Sequence, residues 1–130
     1  LAAMSGALQH QAQSIYYGKT GGAVVTGNED GVKHVSMTIV YALAHLGFTI
    51  PPQPDTGWIG EAGPGPSYGD AVDGRRAGMG HEFTQQTATV MTWNLMHLAR
   101  MLRDAGGYPR TGNDRTAWAD GERFGWEDPL

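Results

Sequence analysis

The chain has 130 residues, 9 Lys and Arg against 13 Asp and Glu, and a formal net charge of −4. Charged residues are 17% of it, below the ~25% of an average soluble domain; this argues against a disordered chain or a coiled coil, and the acidic balance argues against a cationic nucleic-acid binder. The absence of Cys excludes disulfides, Cys-ligated zinc, iron–sulfur clusters and thiol nucleophiles. No apolar run approaches the ~20 residues of a membrane helix, so no membrane insertion is expected; the lack of Cys fits a cytoplasmic location. Leu1 is not an initiator, and no signal-peptide pattern accompanies it. The expectation is processing, or a start part-way through a longer protein.

In chain order, residues 1–17 combine Ala, Leu, Met and Gln, all good helix formers. Leu1, Met4, Leu8, Ala12 and Ile15 recur at three- and four-residue steps, predicting a helix with one apolar face. Residues 21–26 (GGAVVT) are an apolar run without alternation, as in a strand buried on both faces. Residues 27–31 (GNEDG) break it. Residues 32–46 then read as a helix with Val32, Val35, Ile39, Leu43 and Leu46 in one stripe, Asp30 as N-cap and Gly47 just past its end. Residues 48–50 read as a second strand, stopped by Pro51 and Pro52. Strand, helix and strand together predict a right-handed βαβ unit with parallel strands.

Residues 51–80 hold eight Gly and five Pro; a loop of this kind is usually functional or disordered. Its large aromatics, Trp58 and Tyr68, predict partial order, with residues 70–80 the most mobile part. Residues 81–104 return to a helical period, with Phe83, Val90, Leu95, Leu98 and Leu102 on one side. Gly106 and Gly107 end that helix. Residues 108–130 carry Trp118, Phe124 and Trp126 without a period and read as an arm packed on its own domain or on a neighbouring subunit. The chain therefore divides into residues 1–107 and a polar, aromatic-containing tail, 108–130.

In open α/β sheets, ligands bind beyond the carboxyl ends of the strands. That edge is predicted to carry Thr26, Gly27, Asn28, Glu29 and Gly31 after one strand, and the loop with Trp58 and Tyr68 after the other. The first of these turns opens a helix, whose leading N–H groups are unpaired. Its glycines allow close approach, and Asn28 offers both a donor and an acceptor. A flat heterocycle with carbonyl and N–H edges suits such a turn; so does the plainer reading of a polar turn and helix cap.

The segments GGAVVTGNEDGVKHV and ALAHLGFTIPPQ, the Gly/Pro loop with its Trp, and the long final helix together resemble the later half of flavodoxin-like NADPH-dependent FMN reductases, the family that includes NAD(P)H:quinone reductases. The resemblance spans roughly residues 1–107. It implies a flavodoxin-like three-layer α/β/α fold with a parallel sheet, of which this chain is roughly the later half. It implies FMN as cofactor and NAD(P)H as co-substrate. Thr26, Gly27, Asn28, Glu29 and Gly31 would then contact the flavin ring, and Trp58 and Tyr68 would shape the pocket where nicotinamide or a quinone stacks. The family's phosphate-holding turn has no counterpart in these residues.

Other constellations point to less. His81-Glu82 lacks the second histidine of a zinc-binding HExxH motif, because Gln85 stands there. His34 and His45 are eleven residues apart on one helix, too far to share a metal. His34 lies near the predicted edge and could donate a proton to a reduced quinone. Arg75 and Arg76 could grip a phosphate or simply lie in solvent. The expected activity is FMN-dependent transfer of electrons from NAD(P)H to a quinone or similar small acceptor, without a nucleophile from the chain and by a homodimer or homotetramer. The alternatives are a non-catalytic flavin carrier or assembly domain, and a truncated remnant without flavin.

Overall fold

The computed structural model describes residues 4, 6–28, 31–63 and 65–127. In chain order the elements are β1 (Ala23–Gly27), α1 (Gly31–Leu46), β2 (Asp55–Ile59), β3 (Ala71–Val72), β4 (Arg75–Arg76), α2 (Glu82–Asp104) and α3 (Arg115–Ala119). β1 and β2 pair in parallel, with Ala23 opposite Asp55 and Gly27 opposite Ile59. β3 and β4 form a small antiparallel hairpin.

Two glycines just before β1 show how the layers stack. A Cβ on Gly21 would meet Leu43 of α1, whereas one on Gly22 would meet Leu95 and Met91 of α2. Neighbouring residues of an extended segment face opposite sides of a sheet, so α1 and α2 cover opposite faces. The order is α/β/α. The apolar core is small, with Ala23, Val32, Leu43 and Met91 buried at its centre.

The second strand is not where the sequence pattern places it. Residues 48–50 make only a single parallel bridge, Thr49 with Thr20, through Thr49 N–H to the Lys19 carbonyl and Gly21 N–H to the Thr49 carbonyl. The chain bulges out at Pro51 and Pro52, and pairing resumes where Ala23 N–H reaches the Pro54 carbonyl. The strand is therefore residues 55–59, and Trp58 sits inside it rather than in the loop that follows. Proline cannot donate to a ladder, so the two prolines interrupt the strand's approach instead of ending it.

The predicted helix over residues 1–17 also gives way. Its described part is a run of turns, with Leu8 bridged to Ser14 and Ala12 at φ 59°. The buried Gln13 side chain, 1% exposed, explains this: its amide nitrogen faces the Tyr108 and Pro109 carbonyls and Asn113 Oδ1 at 3.2, 3.1 and 2.6 Å. Tertiary hydrogen bonds override weak helix propensity. They also fasten the segment after α2, and Arg115 N–H adds a bond to the Ala12 carbonyl.

α1 and α2 match their predicted spans within a residue, but their buried faces are rotated from the predicted stripes. In α1, Val32, Ser36 and Leu43 are buried, while Val35 remains 44% exposed. In α2, Thr84 and Met91 are buried and Phe83 is 66% exposed. Asp30, the predicted cap of α1, lies outside the described residues. Residues 70–80, expected to be the loosest stretch, contain the β3–β4 hairpin, closed by Asp73 (φ 46°) and Gly74 (φ 75°) as a type I′ turn requires.

Candidate functional site

The carboxyl ends of β1 and β2 lie side by side, with Thr26 opposite Trp58. Thr26 is exposed and Gly27 half-buried. Gly27 has no left-handed backbone, and a Cβ there would approach Val32 Cγ2 at 3.0 Å. Its small size is what the close turn onto α1 needs. Asn28 donates from Nδ2 to the Gly65 carbonyl at 2.6 Å, tying the β1 turn to the loop after β2. Gly31 opens α1 with free space around the position of its missing Cβ. Glu29 lies outside the described residues.

Trp58 and Tyr68 come together. Their rings meet edge-on, with centroids 5.7 Å apart at 61°. Gly78 lies beneath both rings at φ 75°; a Cβ there would fall 2.5 Å from Tyr68 Cδ2 and 2.8 Å from Trp58 Cε2. An edge-on aromatic pair over a residue without a side chain is held by packing rather than chance. Two open cavities of about 670 and 720 Å³ adjoin Trp58, and Arg75, Arg76 and Gly78 line both. Both arginines are exposed, and Arg76 donates to the Gly69 carbonyl at 3.1 Å. Volumes in this range suit a ligand of cofactor size.

His81, half of an incomplete metal motif in the sequence, is at this edge. It caps α2, with Nδ1 accepting the Thr84 N–H at 3.3 Å. Accepting at Nδ1 leaves the ring proton on Nε2. Thr84 Oγ1, 2.9 Å from the same Nδ1, donates to the Gly57 carbonyl of β2 at 3.0 Å. Thr84, whose N–H the imidazole caps, is thus bonded to the strand, and the imidazole lines the 720 Å³ cavity beside Trp58. His is not one of the usual N-cap residues, so no local motif marks this cap. His34 is exposed on α1 and lines neither cavity at Trp58. Among the described residues, no three His, Asp or Glu side chains gather as a metal site, and no helix is long and apolar enough to cross a membrane.

A further cavity of about 590 Å³ lies at the other end of the sheet, where Ser14, His45, Asn113, Asp114 and Trp118 meet. Asp114 caps α3 through the Ala117 N–H at 2.9 Å and pairs with Arg110. The Ala117 N–H and then the Arg110 guanidinium hold its carboxyl below the ordinary value of 3.8, against the opposing effect of burial.

These elements define an α/β protein with a flavodoxin-like fold and a parallel pair of strands between helices. No protein-family model matches the chain. It is similar to the structure of RosB with the bound intermediate 8-demethyl-8-formylriboflavin-5′-phosphate, with a TM-score of 0.72 and 33% identity over 96% of this chain and 46% of that one. It is 40% identical over 88 residues, 68% of this chain, to the 8-demethyl-8-aminoriboflavin-5′-phosphate synthase of Streptomyces davaonensis, and spans 32% of it. It is also 57% identical over 103 residues, 79% of this chain, to the divalent metal cation transporter MntH of Mycobacterium bovis, and spans 15% of that protein. The chain thus spans less than half the length of each of these proteins.

Proposed function

We propose that this chain forms one wall of a flavin 5′-phosphate site at the carboxyl ends of β1 and β2. The observation that carries the reading is a coincidence of position and likeness. The edge where α/β sheets bind ligands carries a hydrogen-bonded turn at Asn28 and a fixed Trp58–Tyr68 pair. The chain's likeness in sequence and in fold includes two proteins named for riboflavin-5′-phosphate derivatives. Thr26, Gly27, Asn28, Glu29 and Gly31 would face the ring's polar edge. Trp58 and Tyr68 would bound the space beside it.

A bound flavin supplies the redox or ring chemistry; these residues bind it, orient it and exclude water from one side. His81 is the group here that can hold or give a proton at Nε2. Two activities fit this wall. The names of two of the similar proteins favour a flavin that is itself the molecule modified. The family resemblance favours FMN as a cofactor that carries electrons from NAD(P)H to a quinone. A non-catalytic flavin carrier is the third reading. Self-association is part of the proposal, supported by the exposed Phe83, Trp93 and Met101 of α2.

The test is to purify the full-length protein, add FMN and record the flavin absorption of the protein fraction. Retained FMN, lost in Asn28→Ala, is the expected result. Oxidation of NAD(P)H with a quinone then separates the cofactor reading from the substrate reading, in which mass spectrometry finds an altered flavin. A protein that retains no flavin overturns the proposal.

A further inference from the structure

A smaller and more enclosed cleft lies beside this site and differs from it in chemistry. It runs between α1 and α2 along the outer edge of β2, and its volume is about 220 Å³. Ser36 of α1 lines it; this residue is 2% exposed, and its Oγ is buried with no hydrogen-bond partner among the described residues. A buried hydroxyl left unpaired costs about 1–3 kcal/mol, so the fold carries a penalty that a ligand could remove.

The rest of the lining indicates what kind of ligand. Lys33 and Asp55, the ionic groups at one end, neutralise each other in a 2.7 Å ion pair, which leaves no net charge to attract an ion. The Thr56 and Thr87 hydroxyls lie 2.7 Å apart, and Thr84 Oγ1 reaches the Gly57 carbonyl. Val32 and Phe83 add apolar surface. Thr87 Oγ1 also donates to the Phe83 carbonyl, so the threonine protons are spent within the protein, and the unpaired Ser36 Oγ and the threonine oxygens are what is left to meet the hydroxyls of a ligand. The volume falls below the ~300–1,000 Å³ of sites for drug-sized ligands, so a dinucleotide is too large. His81 lines both this cleft and the 720 Å³ cavity at Trp58, and Val32 touches the Gly27 turn. The cleft therefore shares His81 with the strand-end site.

We propose that the cleft between α1, α2 and β2 binds a small uncharged polyhydroxylated molecule through Ser36 Oγ, as a second ligand beside the strand-end site. The proposal rests on the flavin reading only for the identity of the neighbouring ligand. Its test is titration of glycerol, erythritol and ribitol into isotope-labelled full-length protein, followed by the amide resonances of Ser36, Gly57 and Thr84. Erythritol or ribitol should move them at concentrations where glycerol moves them less. Ser36→Ala should weaken that binding by up to about tenfold, the worth of one hydrogen bond, and Ser36→Thr, which keeps the hydroxyl, should restore most of it. FMN absorption is read in the same samples. FMN retained by Ser36→Ala while the polyol response is lost supports a separate site. A polyol response in protein that retains no FMN supports the cleft and refutes only the flavin reading. The proposal is overturned if no probe moves the cleft resonances, if Ser36→Ala binds as wild type, or if Ser36→Ala also loses FMN, because the cleft would then hold the flavin itself.

Discussion

Gly78 and Gly74 offer a controlled comparison at the loop that positions Trp58. Both have φ 75°. Around Gly74 there is open space; around Gly78 the Tyr68 and Trp58 rings stand 2.5–2.9 Å from the position of a Cβ. Alanine at either position incurs the left-handed backbone strain of about 1–2 kcal/mol. At Gly78 the new methyl must also push both rings back by about an ångström to reach ordinary contact. Such overpacking costs about 1–3 kcal/mol, and separating an edge-on pair loses about 0.5–1.5 kcal/mol more. Gly74→Ala is therefore expected to cost about 1 kcal/mol, and Gly78→Ala about 3 kcal/mol or more. Urea unfolding of the full-length protein measures both. Near-ultraviolet circular dichroism, sensitive to ring packing, should change in Gly78→Ala alone, and FMN retention should fall in that variant first. Equal destabilisation by the two substitutions would refute the claim that Gly78 holds the ring pair in place.

Two further outcomes are expected at the opposite end of the sheet. Gln13→Leu removes the donor to the Tyr108 carbonyl and Asn113 Oδ1 and leaves the Pro109 carbonyl with Asn113 Nδ2 alone, and should cost about 1–3 kcal/mol; hydrogen exchange of residues 108–119 should speed up, and unchanged exchange would show that Gln13 does not fasten the tail. Asp114, with its carboxyl held below 3.8, stabilises the fold at pH above that unfolded value, and the contribution is lost as pH falls through the lower folded value. Asp114→Asn should therefore reduce stability at neutral pH and flatten the acid limb of the unfolding profile; an acid limb as steep as in wild type would refute the assignment.

How much of this could be read from the sequence depended on which interactions set each element. β1 and the span of α1 follow from local pattern, because a β-branched run and a long apolar period leave few alternatives. The position of β2 did not, since DTGWI has Gly57 at its centre and follows three prolines, all features that mark a loop. That misplacement put Trp58 in a loop, yet left it at the right edge of the sheet. The turns of residues 6–17 are not legible in a local period, because Gln13 reaches contacts 95 to 100 residues away. The rotated stripes of the helices have another cause. A polar residue such as Ser36 or Thr84 is buried when it lines a cleft or bonds a strand carbonyl, and an apolarity pattern counts it as surface. His81 was missed for the same reason, because its cap is a hydrogen bond and not a motif.

The side of β1 away from β2 bears on how the site is completed. β2 is its one strand neighbour among the described residues. Val24, in the middle of β1, is 66% exposed. Parallel strands are stable when both faces are covered, and leaving a valine in water forgoes about 1 kcal/mol or more. Thr26 lies on the same face of β1 as Val24 and leads directly into the Gly27–Asn28 turn. A surface that covers Val24 would therefore stand against the turn proposed to meet the flavin ring. Covering the strand and closing the second wall of the site are then one event. A ligand bound between the walls adds stability to the joined form in proportion to the logarithm of its concentration over its Kd. Flavin uptake and burial of Val24 should consequently rise together, so added FMN should slow hydrogen exchange along β1 more than along α3.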